Sequence, residues 1–162
     1  MEICGLWRTL RRATPHNGPV RSTYPAAVYL CLFDDGRLLL QRRAGTGYRD
    51  GELSLPAGHV EPGESATKAL LRETREETGL DLDPAAVRLA LVQHGRADGD
   101  AYIDFFFSAA LPPGAVPVVG EPDKASELVW APVDALPEDV VPVVRNGIEA
   151  LLRGETYTEY GW

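Results

Sequence analysis

Three glutamates, Glu73, Glu76 and Glu77, stand within the stretch LRETREETGL that runs from Leu71 to Leu80. On an α-helix each residue advances about 100°, so the three carboxylates fall within an arc of about 100°. Glu73 then faces both Glu76 and Glu77, and such like-charge pairs cost roughly 0.2–0.5 kcal/mol each on an isolated helix. The acids also lie toward the C-terminal end, where the helix dipole disfavours negative charge. Ala66, Ala69 and Leu70 share their side, and an inward-packing face would point the carboxylates at protein. Acids so placed need a counter-charge, and hard oxygen ligands suit Mg²⁺, with Mn²⁺ as the alternative. A second reading stays open on these residues alone. The helix is then solvated and charged, Arg72 and Arg75 screen the glutamates, and a second stripe of Thr67, Leu71, Thr74 and Thr78 packs inward.

The elements around this stretch must position it. Ser65 to Thr78 reads as a helix, with Glu64 and Ser65 to cap and charge its start and Gly79 to end it. Upstream, AAVYLCLF and RLLLQRR flank the turn signal DDG and read as a hairpin. A glycine-rich loop, GTGYRDGE, leads to a short strand, LSLPAG. Downstream, VRLALVQHGRA and AYIDFFFSA read as strands around DGD, followed by a long proline-rich loop and a further strand, ELVWAPV. PEDVVPVVRNGIEALLRG reads as a closing helix, with Pro142 in its first turns, where proline is tolerated. The order predicts an α+β or α/β sandwich, with a mixed sheet between helices.

The bulk composition bounds the partners. The 162 residues suit one domain with a sizeable core, and 44% hydrophobic with 25% charged residues is ordinary for a globular chain. Net charge is −8, with +3 on residues 1–22 (Arg8, Arg11, Arg12 and Arg21 against Glu2) and −11 on the rest. An acidic body argues against a nucleic acid surface, while a small anionic ligand stays compatible through a bound metal or a few arginines. No apolar run approaches the ~20 residues of a membrane helix, and no signal-peptide stretch opens the chain, so no membrane association and a cytoplasmic location are expected. Cys4 and Cys31 have no metal-ligand spacing, and Cys31 reads as a small core residue.

From Gly58 the chain reads GHVEPGESATKALLRETREETGL. Gly58, Glu64, Arg72, Glu73, Glu76, Glu77, Gly79 and Leu80 stand at the spacing of the Nudix box, G-x5-E-x7-R-E-U-x-E-E-x-G-U, where U is a bulky aliphatic residue. The stretch resembles that family, and Thr74 departs from it where an aliphatic residue is usual. The layout resembles a Nudix domain over residues 23–162, preceded by a basic segment, 1–22. The resemblance implies a Nudix α/β/α sandwich and an enzyme that hydrolyses a nucleoside diphosphate linked to another group. It implies Glu73, Glu76 and Glu77 as ligands to Mg²⁺, a backbone carbonyl ligand near Ala57 or Gly58, Glu73 or Glu76 as general base, Arg72 as the residue orienting a catalytic glutamate, and Glu64 as a loop-holding or water-mediated group.

The remaining site expectations come from the loops. Glu121 is the favoured later metal ligand in VVGEPDKASELVW, ahead of Asp123 and Glu127. Arg42 resembles the nucleotide-contacting arginine of MutT-type members. Tyr48 is an aromatic for stacking on a base, as are Tyr102 and Phe106, although core packing is the plainer role for Phe105, Phe106 and Phe107. Asp139 is a candidate for a base edge, with helix capping as the alternative. Subfamily patterns for NADH, ADP-ribose and dinucleoside polyphosphate substrates are missing, which leaves a MutT-like nucleoside triphosphate pyrophosphohydrolase in front. An ADP-ribose or nucleotide-sugar pyrophosphatase and a non-catalytic nucleotide-binding domain are the alternatives. The resemblance leaves a homodimer open.

Overall fold

The computed structural model describes residues 22–162. Cys4 and the arginines of the basic segment, Arg8, Arg11, Arg12 and Arg21, lie outside the described residues.

Eight strands form a single mixed sheet with one helix packed on each face. The strands are β1 (Ala26–Asp34), β2 (Arg37–Arg43), β3 (Leu53–Ser54), β4 (Ala57–His59), β5 (Arg88–Ala97), β6 (Asp100–Ala110), β7 (Ala125–Pro132) and β8 (Tyr157–Tyr160). The helices are α1 (Ala66–Thr78) and α2 (Pro142–Leu152), and Pro84–Ala86 forms one 3-10 turn. The order is β3-β2-β1-β6-β5-β8, with β4 paired to β1 and β7 to β2. β1 runs parallel to β6 and β5 parallel to β8.

The hairpin forms where the turn chemistry places it. Asp35 and Gly36 both have positive φ, 45° and 71°, the backbone that two-residue hairpins demand. The strands then part. β1 and β2 pair only at Phe33–Leu38 and Asp34–Arg37. Beyond that point β4 takes Ala27 to Tyr29 of β1, and β7 takes β2 along its length. The sheet therefore forks, and the fork opens a cleft between β1 and β2.

β1 is apolar on both faces because both faces are covered. Val28, Leu30 and Leu32 join Ala69 and Leu70 of α1, while Cys31 joins Leu91, Phe106, Val144 and Ile148 on the α2 side. Helix α1 starts at Ser65, whose hydroxyl accepts from the Lys68 N–H at 3.3 Å, and ends at Gly79 with φ 69°. Pro142 opens α2 at its first turn. Gly147 brings α2 down onto the sheet, since a Cβ there would run into the Phe106 ring. LSLPAG is broken into β3 and β4 at Leu55–Pro56, and the C-terminal YTEY forms the edge strand β8, which periodicity does not predict.

Candidate active site

The glutamate face of α1 lies against the loop between β3 and the helix. β4 passes so close that a Cβ on Gly58 would fall inside the Glu73 carboxyl group. Arg72 gathers the acids. Its guanidinium donates to Glu64 at 3.1 and 3.0 Å, to Glu73 at 2.6 Å, to Glu76 at 3.3 Å and to the carbonyl of His59 at 3.1 Å. One arginine thus ties the box loop to two helix carboxylates. The Arg72 bond holds Glu64 below the usual carboxylate range.

Glu77 is 9% exposed and accepts the Ala57 N–H at 2.7 Å. Burial pushes its carboxyl up to about 7, against the pull of Gln41 and the Ala57 N–H, while Glu73 and Glu121 push it further. Burial also raises Glu73, which Arg72 pulls back and Glu76 and Glu121 raise again. Both readings of the helix therefore hold in part. Ala69 and Leu70 are buried, but so are Thr74 and Thr78 of the other stripe, and Glu77 goes inward with them.

Glu121 reaches this group because its loop is pinned to the end of α1. The Val118 N–H bonds the carbonyl of Thr78 at 3.0 Å and the Gly120 N–H bonds that of Glu77 at 2.9 Å. Gly120 has no room for a Cβ against the carbonyl of Glu76. Lys124 donates to Glu121 at 2.7 Å. Its ammonium is stabilised first by Glu121, then by Glu73 and Glu77.

Five carboxylates, Glu64, Glu73, Glu76, Glu77 and Glu121, thus stand around two cations, Arg72 and Lys124. The oxygen donors and the surplus negative charge fit a hard divalent cation. Among the described residues no three His, Cys, Asp or Glu side chains are gathered as an ion-holding group; Arg72 bonds Glu73 and the Ala57 N–H bonds Glu77.

A cavity of about 640 Å³ opens from this group along the α2 side of the sheet. Glu73, Glu77, Gly58 and Lys124 line one end. Gly95, Tyr102, Asp104, Val143 and Val144 line the other, and Tyr29, Gln41 and Arg43 lie along the cavity wall. Tyr48 lines it too, from the β2–β3 loop. Its hydroxyl donates to Asp98 at 2.9 Å, and Arg49 reaches the same carboxylate at 3.2 Å. The glycine-rich loop is therefore latched across to the β5–β6 turn.

Arg42 and Asp139 take a different place from the one expected. Arg42 donates to Asp139 at 2.7 Å and Glu127 at 2.6 Å. Neither Arg42 nor Asp139 is among the cavity-lining residues. The reason is the alternation of β2. Leu38 and Leu40 point to the α2-side core and Leu39 to the α1 side. The same alternation puts Gln41 and Arg43 on the face of Leu39, where both line the cavity, and leaves Arg42 on the face of Leu38 and Leu40, paired with Glu127 of β7. Arg43 donates to the Tyr48 carbonyl at 2.8 Å and lies 5.4 Å from its ring centre. Phe106 and Phe107 are core residues, and Phe106 stacks on Tyr29 with ring centres 4.7 Å apart. Trp162 packs on the domain, its indole N–H donating to the His94 carbonyl at 2.9 Å.

Sequence reasoning passed over Gln41, Arg43, His59, Lys124 and Asp104. Only Asp104 carries a local signal, a lone acid inside the apolar run YIDFFF. No helix among the described residues is long and apolar enough to cross a membrane.

Comparison with known proteins bears on the same residues. The NUDIX domain model matches residues 23–151. The 8-oxo-dGDP phosphatase NUDT18 of Homo sapiens is 35% identical over 112 residues, 68% of this chain and 32% of that protein. The chain therefore spans about a third of that relative's length. The isopentenyl-diphosphate Delta-isomerase of Cutibacterium acnes is 30% identical over 134 residues, 75% of this chain and 66% of that one. The crystal structure of a MutT NUDIX hydrolase from Burkholderia pseudomallei superposes with a TM-score of 0.70 at 28% identity, covering 79% of this chain and 98% of the other. With the box, the forked mixed sheet and the family match in register, this chain belongs to the NUDIX domain family.

Proposed function

We propose that the protein hydrolyses a nucleoside triphosphate, a modified one included, to the monophosphate and pyrophosphate. One observation carries this reading: a single cavity is lined by Glu73, Glu77 and Lys124 of the box group and also by Tyr29, Tyr102, Val143 and Val144 with Asp104 among them. The first suits a phosphate chain neutralised by cations, and the second suits a base. Similarity to a protein named as an 8-oxo-dGDP phosphatase supports a nucleotide substrate.

A divalent cation, Mg²⁺ or Mn²⁺, bound by Glu73, Glu76, Glu77 and Glu121 with a carbonyl near Gly58 supplies counter-charge and Lewis acidity to the phosphates. The chain's own residues supply the rest. Glu73 lines the cavity and is held by Arg72, so it is the group to take a proton from an attacking water. The water oxygen bonds to phosphorus, the proton passes to Glu73, and the bridging P–O bond breaks with its electron pair leaving on pyrophosphate. Lys124 and Arg43 line the cavity as cations for the phosphate chain.

The test is a panel of nucleoside tri- and diphosphates, ADP-ribose, a nucleotide sugar and isopentenyl diphosphate, each with and without Mg²⁺. Pyrophosphate release from a triphosphate is expected, lost on chelation and restored by Mg²⁺. Glu76→Gln is expected to lower kcat by at least about 100-fold with an unchanged circular dichroism spectrum. AMP from ADP-ribose with no pyrophosphate from any triphosphate would replace this substrate class, and a panel with no turnover would end the enzyme reading.

A further inference from the structure

Asp104 stands in the middle of β6 and is 3% exposed, yet it lines the cavity. Its register neighbours are Gln93 on β5 and Ala27 on β1, which in turn pairs with His59 on β4. Gln93 is fully buried and fixes the carboxylate. Its amide donates to Asp104 Oδ2 at 3.2 Å and to the carbonyl of Val143 at 3.1 Å, and its own oxygen accepts from Asn146 of α2 at 2.8 Å. Gly95 keeps the space beside Oδ2 open, since a Cβ there would sit 3.1 Å from it. Among the described residues, Gln93 bonds Oδ2 alone, which leaves Oδ1 to the cavity that Asp104 lines.

A buried carboxylate with one oxygen fixed and the other left to a cavity is an acceptor aimed at a ligand donor. It costs stability where it stands, and no ion pair among the described residues offsets that cost. Ala27, Tyr29 and Val143 line the cavity with it, apolar and aromatic surface of the kind a heterocycle packs against. Which heterocycle follows from the acceptor-only character of the carboxylate. A 2-amino-6-oxopurine offers two adjacent N–H donors on one edge. A 6-oxopurine without the amino group offers one, and a 6-aminopurine sets a ring nitrogen lone pair against the carboxylate.

We infer that Asp104, oriented by Gln93 and Asn146, reads the N–H edge of a guanine-type base and sets the base preference of the cavity. The inference rests on the nucleotide reading above and deepens it. Gln93 and Asn146 are positioning residues, and Asp104 is the specificity residue.

Binding of GMP, IMP and AMP to the whole chain, measured by calorimetry with Mg²⁺ present, tests this without requiring turnover. Wild type is expected to bind in the order GMP, IMP, AMP, with GMP ahead of AMP by about 10- to 100-fold, the scale of a hydrogen bond to a charged group. In Asp104→Asn, the amide oxygen still accepts from Gln93 and its NH₂ faces the ligand. That variant is expected to lose the order while binding AMP no more weakly than wild type. Gln93→Leu is expected to blunt the preference without reversing it. Equal affinity of wild type for the three, no binding of any, or an order that survives Asp104→Asn would overturn the inference. A GMP preference that depends on Asp104 in a protein hydrolysing no nucleotide would uphold it and overturn the catalytic reading instead.

Discussion

Replacing Asp104 by asparagine should stabilise the protein, and only above mildly acidic pH. Burial pushes the Asp104 carboxyl from 3.8 up to about 6, against the pull of Gln93 and of the charges on His59 and His94. The folded value lies above the unfolded one, which is about 3.9. Below about pH 4 both states are protonated and the carboxyl costs nothing. Between about pH 4 and pH 6 the unfolded chain releases the proton while the folded chain keeps it, so stability falls as pH rises. Above that window the full cost stands. Two units correspond to about 3 kcal/mol at most, so asparagine should gain about 1.5–3 kcal/mol near neutral pH, a rise in Tm of roughly 3–10 °C for a chain of this size. The Gln93 amide keeps an acceptor in the new side chain, so the packing is preserved. The groups bonded to or acting on the site are Gln93 and the Val143 carbonyl of α2 on its own face, the charge of His59 on β4, and, from the other face of β5, the charge of His94. The histidine charges favour the ionised form and trim the gap. Urea unfolding of both proteins followed by tryptophan fluorescence, from about pH 4 to about pH 8, measures it. A variant less stable than wild type by the same amount at every pH would refute the reasoning, because the carboxylate would then be holding the fold together rather than straining it.

Two further substitutions test the packing that places the site. Gly147→Ala drives a methyl into the Phe106 ring and should cost about 1–3 kcal/mol in urea unfolding, with a loss in affinity for any nucleotide because Phe106 backs Tyr29. Gly58→Ala displaces the Glu73 carboxyl. It should lower kcat by about 10-fold or more while the far-ultraviolet dichroism stays native, the scale seen when a catalytic group is misplaced by about 1 Å.

The elements most legible in the sequence were those whose signals are local. Ser65 and Gly79 bound α1 because a hydroxyl cap and a left-handed terminus are properties of single residues. The Asp35–Gly36 turn is legible for the same reason. β8 was not. YTEY has no buried run of its own and becomes a strand only because β5 offers it an edge at Val92 to Gly95. The fork between β1 and β2 is equally non-local, since β4 takes the edge of β1, and β3 the edge of β2, that would otherwise pair with each other.

The site divides along the same line. The spacing from Gly58 to Glu77 placed Arg72 among the acids, because residues on one helix and its flanking loop keep their relations whatever the rest of the chain does. Which side chains enter the cavity from the sheet depends on register, and one residue of register exchanges a cavity cation for a surface ion pair. Arg42 meets Asp139 and Glu127, and its neighbour Arg43 enters the cavity beside Gln41, because adjacent residues of a strand face opposite ways. Asp104 shows the converse. An acid in an apolar strand conflicts with the local pattern, and such conflicts gather where function outweighs stability. The carboxylates of α1 conflict with their helix in the same sense, but there the offset is built in: Arg72 spans Glu73 and Glu76 together with Glu64 of the preceding loop, and Lys124 stands against Glu121. Asp104 has a positioned amide and no cation bonded to it. The two ends of the cavity therefore differ in what completes them. The α1 end calls for positive charge and the β6 end for neutral N–H donors, the two demands that the proposed substrate, a base joined to a phosphate chain with its cation, would meet together.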